Sequence, residues 1–498
     1  MKTFPFYYLS ILLLCSCALS KQNGAQKFSP GQLQKDYSLF QNILEESHPG
    51  LYWYTPKDSM DFYFDKGRNM LSDSLTEPRF RNVLSYVLAK INCGHTVARS
   101  SKVYENANDS MRRRHFPLGL KIWKDTAVVT QNLNRKDSFI MRGSLLTAID
   151  GRPVQSIVDS LFQYLSADGN NLTHKYQSLS NRGVFSNLYL SVFGYKPSFH
   201  VEFIDTLGRR GNSRIFIYKP PADTSNKKKQ AQKTARIPKR ERRKLVRNNL
   251  RSLSIDSALS TAFINLNTFT NNGKLRRFFR SSFKKIEIEN LQNVVLDLRG
   301  NGGGSVTNSN LLTKYIIKKP FRIADSLYAI KLNSEYGRYQ QHRIFNWLFM
   351  VFITRKGSDG AHHFRFYERK YFKPRNNNHF NGQVYILSGG NTFSASTLFI
   401  KSVKDQDNVI VVGEETGGGA YGNNAWLIPD VTLPLTKLRF RLPLFRLVID
   451  KNEKKGSGVM PDVESLPTVE AIRRQADFKK EKTIELIKEK TTTPDQFR

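Results

Sequence analysis

The sequence predicts a chain of three structural parts, which are a helical N-terminal domain, a small β-rich domain and a larger α/β domain. Apolar residues recur at helical spacing over residues 29–100, short β-rich runs follow over 115–219, and strands alternate with helices over 252–467. With 498 residues, of which 39% are apolar and 12% aromatic, the chain can build real cores. Fibrous and wholly disordered proteins are therefore excluded.

The first residues predict export. Lys2 precedes an apolar run, 7–14, which is much shorter than the roughly 20 residues of a membrane span. The run ends in Leu14-Cys15-Ser16-Cys17, which resembles a bacterial lipobox. We therefore expect residues 1–16 to be a signal peptide and Cys17 to become the lipidated N-terminus of a cell-envelope protein that faces the periplasm. Ordinary cleavage after Ser20 is the alternative.

The helical domain is expected to end at Ile91-Asn92-Cys93-Gly94-His95, where Gly94 would supply the left-handed backbone common at helix ends. The chain has three cysteines, of which Cys93 is the one beyond residue 17, so a disulfide framework and a four-cysteine zinc site are excluded. In the β-rich domain, a strand, the Asp150-Gly151 turn and an amphipathic stretch follow one another. This order resembles a PDZ domain, whose groove binds a peptide as an added strand.

Residues 220–251 predict a basic linker that is flexible or partly helical. Between Lys227 and Arg251 there are twelve Lys or Arg residues and one acidic residue, Glu241, in a chain of formal net charge +36. A solvated spacer is the favoured interpretation, and an anionic membrane surface is the second. Nucleic acid is the least favoured partner, because no aromatic residues interleave the charges.

Two glycine-rich turns follow apolar strands in the α/β domain, where ligands gather at the carboxyl ends of strands. The first is 297–304 and lacks the Gly-Lys-Ser/Thr end of a phosphate-binding loop. Its consecutive glycines suit a developing oxyanion. The second, 388–394, places Ser394 where a helix opens, as a nucleophile or as a simple helix cap. After Thr468 we expect a charged, helical C-terminal tail, 468–498.

Four motifs occur in a fixed order, Asp297-Leu-Arg-Gly-Asn-Gly-Gly-Gly304, Asn391-Thr-Phe-Ser-Ala-Ser396, Val411-Val-Gly-Glu-Glu-Thr-Gly-Gly-Gly419 and Gly458-Val-Met-Pro-Asp462. Together they resemble the C-terminal-processing (tail-specific) serine peptidases, over residues 30–467. The resemblance implies an α/β domain of crotonase/ClpP-like type. It also implies Ser394 as the nucleophile, with an oxyanion hole formed by the N–H groups of Ala395 and of Gly303 or Gly302.

The general base is inferred from a departure within this resemblance. The best-known branch takes a lysine from the loop after the Val-Val-Gly-Glu strand, and Gly419 occupies that position here. Lys401 lies about 10.5 Å along the helix from Ser394 and cannot reach the hydroxyl. Cys93-Gly94-His95-Thr96 resembles the Gly-His-Thr signature of the branch that contains the tricorn core and the interphotoreceptor retinoid-binding modules. That resemblance implies His95 as the base, whose neutral imidazole can accept the serine proton.

The group that orients His95 is left open among three candidates, Thr96, Glu453 and Glu414. No metal or other cofactor is expected, because the spacings of the histidines at 342, 362, 363 and 379 fit no helical zinc site. The apolar segment 345–353 is expected to be a buried strand or helix, or else an apolar surface wedge.

The expected function is that of an exported serine endopeptidase, which cleaves unfolded or C-terminally recognised polypeptides through an acyl-enzyme. The alternative is a catalytically silent envelope module that binds peptides or apolar ligands on the same fold. A basic scaffold for anionic surfaces is a third interpretation.

Overall fold

The structure is a computed structural model that describes residues 26–107, 114–134, 137–219 and 238–492. The predicted signal peptide 1–16, the lipidation site Cys17 and residues 220–237 of the basic linker lie outside the described residues. Within the described ranges, no helix combines the length and the apolarity that a membrane crossing needs.

Residues 26–107 form a helical unit in which α1 begins at a capping box. The Ser29 side chain accepts from the Gln32 backbone, and the Gln32 side chain accepts from the Ser29 backbone. The third helix ends at Lys90, and Asn92, at φ 55°, supplies the left-handed residue that had been predicted at Gly94. The elements are β1 Lys27–Phe28, α1 Pro30–Ser47, α2 Lys57–Asn69, β2 Leu75–Thr76, α3 Glu77–Lys90, β3 Ala98–Arg99 and α4 Lys102–Ala107.

Residues 114–219 form an antiparallel sheet in the order β4-β5-β6-β8-β9, with a separate apolar core. Helix α6 packs beside the edge strand β4, where the Ser180 hydroxyl accepts from the Ile122 N–H at 2.9 Å. The resemblance to a PDZ domain stays a prediction. The elements are β4 Leu118–Trp123, β5 Thr126–Asn132, β6 Leu145–Ile149, β7 Arg152–Pro153, α5 Val154–Phe162, α6 Leu172–Ser180, α7 Val184–Phe193, β8 Ser198–Ile204 and β9 Arg210–Phe216.

Residues 238–492 carry the remaining elements, which begin with an exposed basic helix. They are α8 Lys239–Leu250, β10 Arg251–Asp256, β11 Thr261–Leu266, α9 Leu275–Ile288, β12 Asn293–Asp297, α10 Val306–Thr313, β13 Ser326–Ala329, α11 Arg343–Ile353, β14 Arg355–Lys356, β15 His362–His363, α12 Arg365–Arg369, β16 Gln383–Ser388, α13 Ala395–Val403, β17 Val409–Gly413, β18 Gly422–Ala425, β19 Asp430–Thr432, β20 Arg439–Arg441, β21 Phe445–Val448, β22 Val463–Glu464, α14 Val469–Arg474 and α15 Phe478–Thr492.

A six-stranded sheet in the order β10-β11-β12-β16-β17-β22 organises this part of the chain into a mixed α/β architecture. All neighbours from β11 onward are parallel, and β10 pairs antiparallel to β11. The last residue of β12, Asp297, pairs with Leu387 at the end of β16. The two glycine-rich turns therefore leave the sheet side by side, at its carboxyl edge.

Helix α15 covers one face of this sheet. Ile487 packs with Val295, Tyr385, Leu387 and Val412 in a small apolar cluster. The charged helical tail that the sequence predicts after Thr468 contains this helix, and the structure adds that the helix packs on the strands through a few apolar residues.

The helical unit and the α/β unit share one apolar core. The rings of Phe40 in α1 and Phe440 in β20 meet edge to face at 5.1 Å, and the core cluster extends from Phe28 to Val459. Strand β3 pairs with β20, with Arg99 opposite Arg439. The segment that carries His95 is therefore held against the α/β unit by sheet pairing and by core packing.

Candidate active site

Ser394 lies at a sharp turn between β16 and α13. Its φ of 55° and ψ of −121° are strained for a residue with a side chain, at a cost of about 1–3 kcal/mol. Its hydroxyl makes no capping hydrogen bond, so the helix-cap interpretation does not hold. The strained turn instead presents the hydroxyl at the positive end of α13, as a nucleophile elbow does.

The first glycine-rich turn sits directly against this elbow. A Cβ on Gly303, whose φ is 96°, would lie 2.8 Å from the Ser394 Cβ and 3.0 Å from the Ala395 nitrogen. Any side chain at this position would therefore collide with the elbow. The close approach brings backbone N–H groups of the turn to the side of the nucleophile.

The structure changes the list of oxyanion donors. The Gly303 N–H donates to the Asn301 side chain at 2.9 Å, so this predicted donor is already engaged. Among the described residues, no hydrogen bond takes up the N–H of Ala395, Gly302 or Gly304. Gly304 and Ala395 line one cavity together with Ser394, and their free N–H groups are suited to a developing oxyanion.

His95 is buried beside the residue that precedes the nucleophile. Its ring lies 4.7 Å from the Phe393 ring, and neither ring nitrogen has a hydrogen-bond partner in the described part of the chain. His95 therefore lies next to the Ser394 elbow, but Ser394 and His95 are not hydrogen-bonded to each other in this structure.

The surroundings of His95 favour the neutral imidazole. Burial, with smaller contributions from the charges of Arg441 and His174, lowers the pKa of His95 to about 3. A neutral ring at physiological pH is the form that can accept a proton.

Asp168 is the group next to His95 that the sequence did not reveal. Its Oδ1 lies 3.9 Å from the His95 Nδ1, and its carboxyl accepts N–H groups from Gly94 at 2.8 Å and Gly419 at 3.4 Å. Burial raises the pKa of Asp168 to about 7, against the lowering effect of these two N–H groups. Asp168 stands in the loop between α5 and α6, outside every motif, so no sequence signal marked it.

Thr96 does not orient His95. Its hydroxyl donates to the Cys93 thiol at 3.2 Å and lies 2.8 Å from the Nε2 of a second buried histidine, His48. Because the Gly50 N–H donates to the His48 Nδ1, the Nε2 of His48 carries the proton and donates to Thr96. Thr96 is thus the centre of a separate buried chain of hydrogen bonds.

The two candidate glutamates are also engaged elsewhere. Glu453 pairs with Lys401 at 2.9 Å, and Glu414 pairs with Lys479 of α15 at 2.6 Å. Neither hydrogen-bonds to His95, whose ring nitrogens have no partner. None of the three predicted candidates, Thr96, Glu453 and Glu414, hydrogen-bonds to the His95 ring in this structure, and the carboxylate that faces its Nδ1 is that of Asp168, at 3.9 Å.

A second imidazole flanks the elbow from the β-rich unit. His174 stacks on the Phe393 ring at 4.9 Å, and its Nδ1 lies 2.7 Å from the Gly390 carbonyl oxygen. Burial lowers the pKa of His174 as well. Two histidines thus enclose Phe393, and the sequence had marked only His95.

A cavity of about 460 Å³ opens in front of Ser394. Its wall includes Tyr367, Trp426 and the guanidinium-bearing residue Arg441. Among the described residues, no carboxylate lies within salt-bridge distance of the Arg441 side chain; burial and the charge of Arg99 lower its pKa, against the attraction of the more distant Asp430. The cavity therefore combines a nucleophile, apolar walls and one unpaired cation.

One group of described residues could share a metal ion. The ligand atoms of Cys93, His95 and Asp168 all lie within 4.8 Å of one another. The histidines considered from the sequence do not gather in this way, since His363 instead bonds to Glu368 at 2.7 Å and to Asp359 at 3.0 Å.

Comparison with known proteins identifies this region. Residues 260–465 match the model of peptidase family S41. These residues form a serine peptidase domain. The resemblance to the serine peptidases that the four motifs indicate is therefore confirmed.

Solved structures share the fold of the chain that carries this peptidase domain. Mature CPAF superposes with a TM-score of 0.63 at 14% identity, over 93% of this chain and 97% of that chain. Mature CPAF complexed with lactacystin gives a TM-score of 0.62 at 14% identity, over 93% and 98%. No curated protein sequence matches the chain.

Proposed function

We propose that this serine peptidase is an exported endopeptidase that cleaves polypeptides through an acyl-enzyme on Ser394, with His95 as the general base. The observation that carries the proposal is the strained elbow of Ser394. Its hydroxyl makes no capping hydrogen bond and lies at the start of α13, beside the free N–H groups of Ala395 and Gly304. A position that only had to cap a helix would not need this backbone strain.

The proposed reaction follows from the positions of these groups. The Ser394 Oγ attacks the peptide carbonyl carbon while its proton passes to the His95 Nε2, and Asp168 faces the Nδ1. The C–N bond then breaks, and the proton passes from His95 to the leaving amine. Water hydrolyses the ester by the same route and releases Ser394. We expect the Ser394–His95 hydrogen bond to form when substrate binds, since catalytic hydrogen bonds often tighten only in the bound complex.

The proposed substrate is an extended polypeptide that carries a carboxylate close to the scissile bond. The unpaired Arg441 in the cavity wall supports this, because a partly buried guanidinium gains most from a bidentate carboxylate partner. A free C-terminus and an acidic side chain are the two sources of that carboxylate. The first agrees with C-terminal recognition of unfolded chains, in which the PDZ-like unit would assist.

The proposed location is the bacterial cell envelope. It is supported by the signal-like segment 1–16 with its lipobox before Cys17. The exposed helix α8 within the basic linker supports a contact with anionic surfaces.

The test is hydrolysis of unfolded casein by the purified protein lacking its first 20 residues, compared with Ser394→Ala and His95→Ala. Both variants are expected to lose activity by a factor of at least about 1,000, with unchanged far-ultraviolet ellipticity. His174→Gln is the matched control, because it removes the other imidazole beside Phe393. If His95→Ala keeps full activity and His174→Gln loses it, then His174 and not His95 is the general base.

A catalytically silent binding module is the second candidate function. The absence of a Ser394–His95 hydrogen bond among the described residues favours it. A fluorophosphonate probe separates the two functions, because only an activated Ser394 reacts with it. An inert, unlabelled protein would support the silent module.

A further inference from the structure

Helix α11, Arg343–Ile353, exposes an unusual amount of apolar side chain. Ile344 is 72% exposed, Phe345 66% and Phe352 75%, and Trp347, Leu348 and Val351 are exposed beside them. These six residues occupy roughly 160° of the helix circumference at 100° per residue. The expectation that segment 345–353 is buried is therefore wrong, and the alternative of an apolar surface wedge describes it.

The side of α11 that faces the protein carries the polar residue Asn346 beside apolar Met350. Its two buried residues are Asn346 and Met350, one turn apart, and the Asn346 amide donates to the Gln341 carbonyl at 2.9 Å. Asn346 is the one polar side chain between Ile344 and Ile353. A helix adapted to water would turn this residue outward and the aromatic residues inward. The outward apolar face therefore indicates a second apolar environment.

The charge around α11 is of one sign. Residues 338–356 contain four basic residues and no acidic residue. Arg343, at the start of the helix, and Arg355 and Lys356, directly after it, are exposed. An apolar face with Trp and Phe and with basic residues at both ends is complementary to the headgroup region of an anionic bilayer.

We propose that α11 binds the surface of an anionic lipid bilayer, lying in the plane of the membrane with its aromatic side chains among the headgroups and upper acyl chains. The helix is about 16 Å long and too short to cross a bilayer. Burial of the same face against a second copy is disfavoured, because twofold pairing would bring the two sets of basic residues together. The proposal is independent of the peptidase reaction.

The test is cosedimentation with vesicles of equal parts phosphatidylcholine and phosphatidylglycerol, and with vesicles of phosphatidylcholine alone. Full-length protein carrying Cys17→Ser is used throughout, so that no acyl anchor forms and the N-terminal segment is the same in every sample. We expect the protein to bind the anionic vesicles, and this binding should weaken as the salt concentration rises. Binding to vesicles of phosphatidylcholine alone should be weaker. Phe345→Ser combined with Phe352→Ser is expected to reduce the partition coefficient at least about tenfold.

The matched control is Leu207→Ser combined with Ile288→Ser, two apolar residues that are 73% and 71% exposed elsewhere on the molecule. This variant is expected to bind like the parent. Equal binding by the α11 variant, or no binding by the parent, would overturn the proposal. So would a parent dimer that the α11 substitutions alone convert to a monomer without any effect on vesicle binding, since α11 would then cover a second copy.

Discussion

Ser394 shows how far single residues can be interpreted from a sequence. The segment Asn391-Thr-Phe-Ser394 alone fits a helix-capping serine, and it was the resemblance carried by four ordered motifs that implied a nucleophile at Ser394. The backbone angles of Ser394 distinguish the two roles, and they depend on the Gly303 turn that packs against the elbow. Asp168 could not be predicted at all, because only tertiary packing brings its loop to His95.

The side chain of Arg441 in the cavity wall predicts a preference for substrates that carry a carboxylate. For the wild-type protein, kcat/KM is expected to be about tenfold higher for a peptide with a free C-terminal carboxylate than for the same peptide with an amidated end. The difference is expected to lie in a lower KM for the free carboxylate. Arg441→Gln should abolish this difference, because a neutral amide makes no charge-assisted pair. The measurement is kcat/KM on the two peptides. Arg99→Gln is the control, since Arg99 already pairs with Asp430 at 3.2 Å. Undiminished discrimination in Arg441→Gln would refute the assignment.

At the scale of elements, the buried strands were the most predictable part of the fold. The runs at 294–296, 384–387 and 409–412 are continuously apolar, and the structure places them at the centre of the parallel sheet. A charged helical tail was predicted after Thr468, but the packing of helix α15 on the sheet was not, because its apolar contact with the strands is narrow. Its anchoring residue, Lys479, belongs to a type that is rarely buried.

Lys479 tests the structural role of α15. It is buried, and its ammonium donates to the Ser388 carbonyl at 2.8 Å and to Glu414 at 2.6 Å. Lys479→Ala is expected to lower the free energy of unfolding by about 3 kcal/mol, because it leaves the Glu414 carboxylate without its partner. The control is Lys480→Ala, the exposed neighbour, for which we expect a loss below about 1 kcal/mol. Urea unfolding followed by circular dichroism measures both, and equal losses would contradict this role.

At the scale of the whole molecule, the division into helical, β-rich and α/β parts follows from composition and periodicity. The joint core of the first and third parts does not, since it depends on contacts such as Phe40 with Phe440. Two neutral histidines, His48 and His95, are buried in this joint region, and burial lowers the pKa of each to about 3.

This burial predicts that acid weakens the entire fold. The folded state binds fewer protons at His48 and His95 than the unfolded state, so stability is complete above pH 6.5 and falls as the pH drops towards 3. Asp168 has the opposite effect, because its pKa is raised to about 7 and the folded state binds its proton more readily than the unfolded state. Its protonation therefore offsets the loss of stability caused by one of the two histidines. His48→Gln should therefore reduce the loss of unfolding free energy between pH 6.5 and pH 5 by about 1.5 kcal/mol. The free energy of unfolding of both proteins is measured by urea unfolding as a function of pH. If the two curves are parallel, His48 is not a source of the loss of stability in acid.

The pairing of β3 with β20 also has a consequence for the order of events during biosynthesis. His95 is made early, but the strand that holds its segment ends at Arg441, close to the end of the peptidase domain. Such distant pairing is completed only when the late strand is available. A growing chain therefore cannot hold the His95 segment against the Ser394 elbow until the residues of β20 have been synthesised, so the two halves of the candidate site come together late.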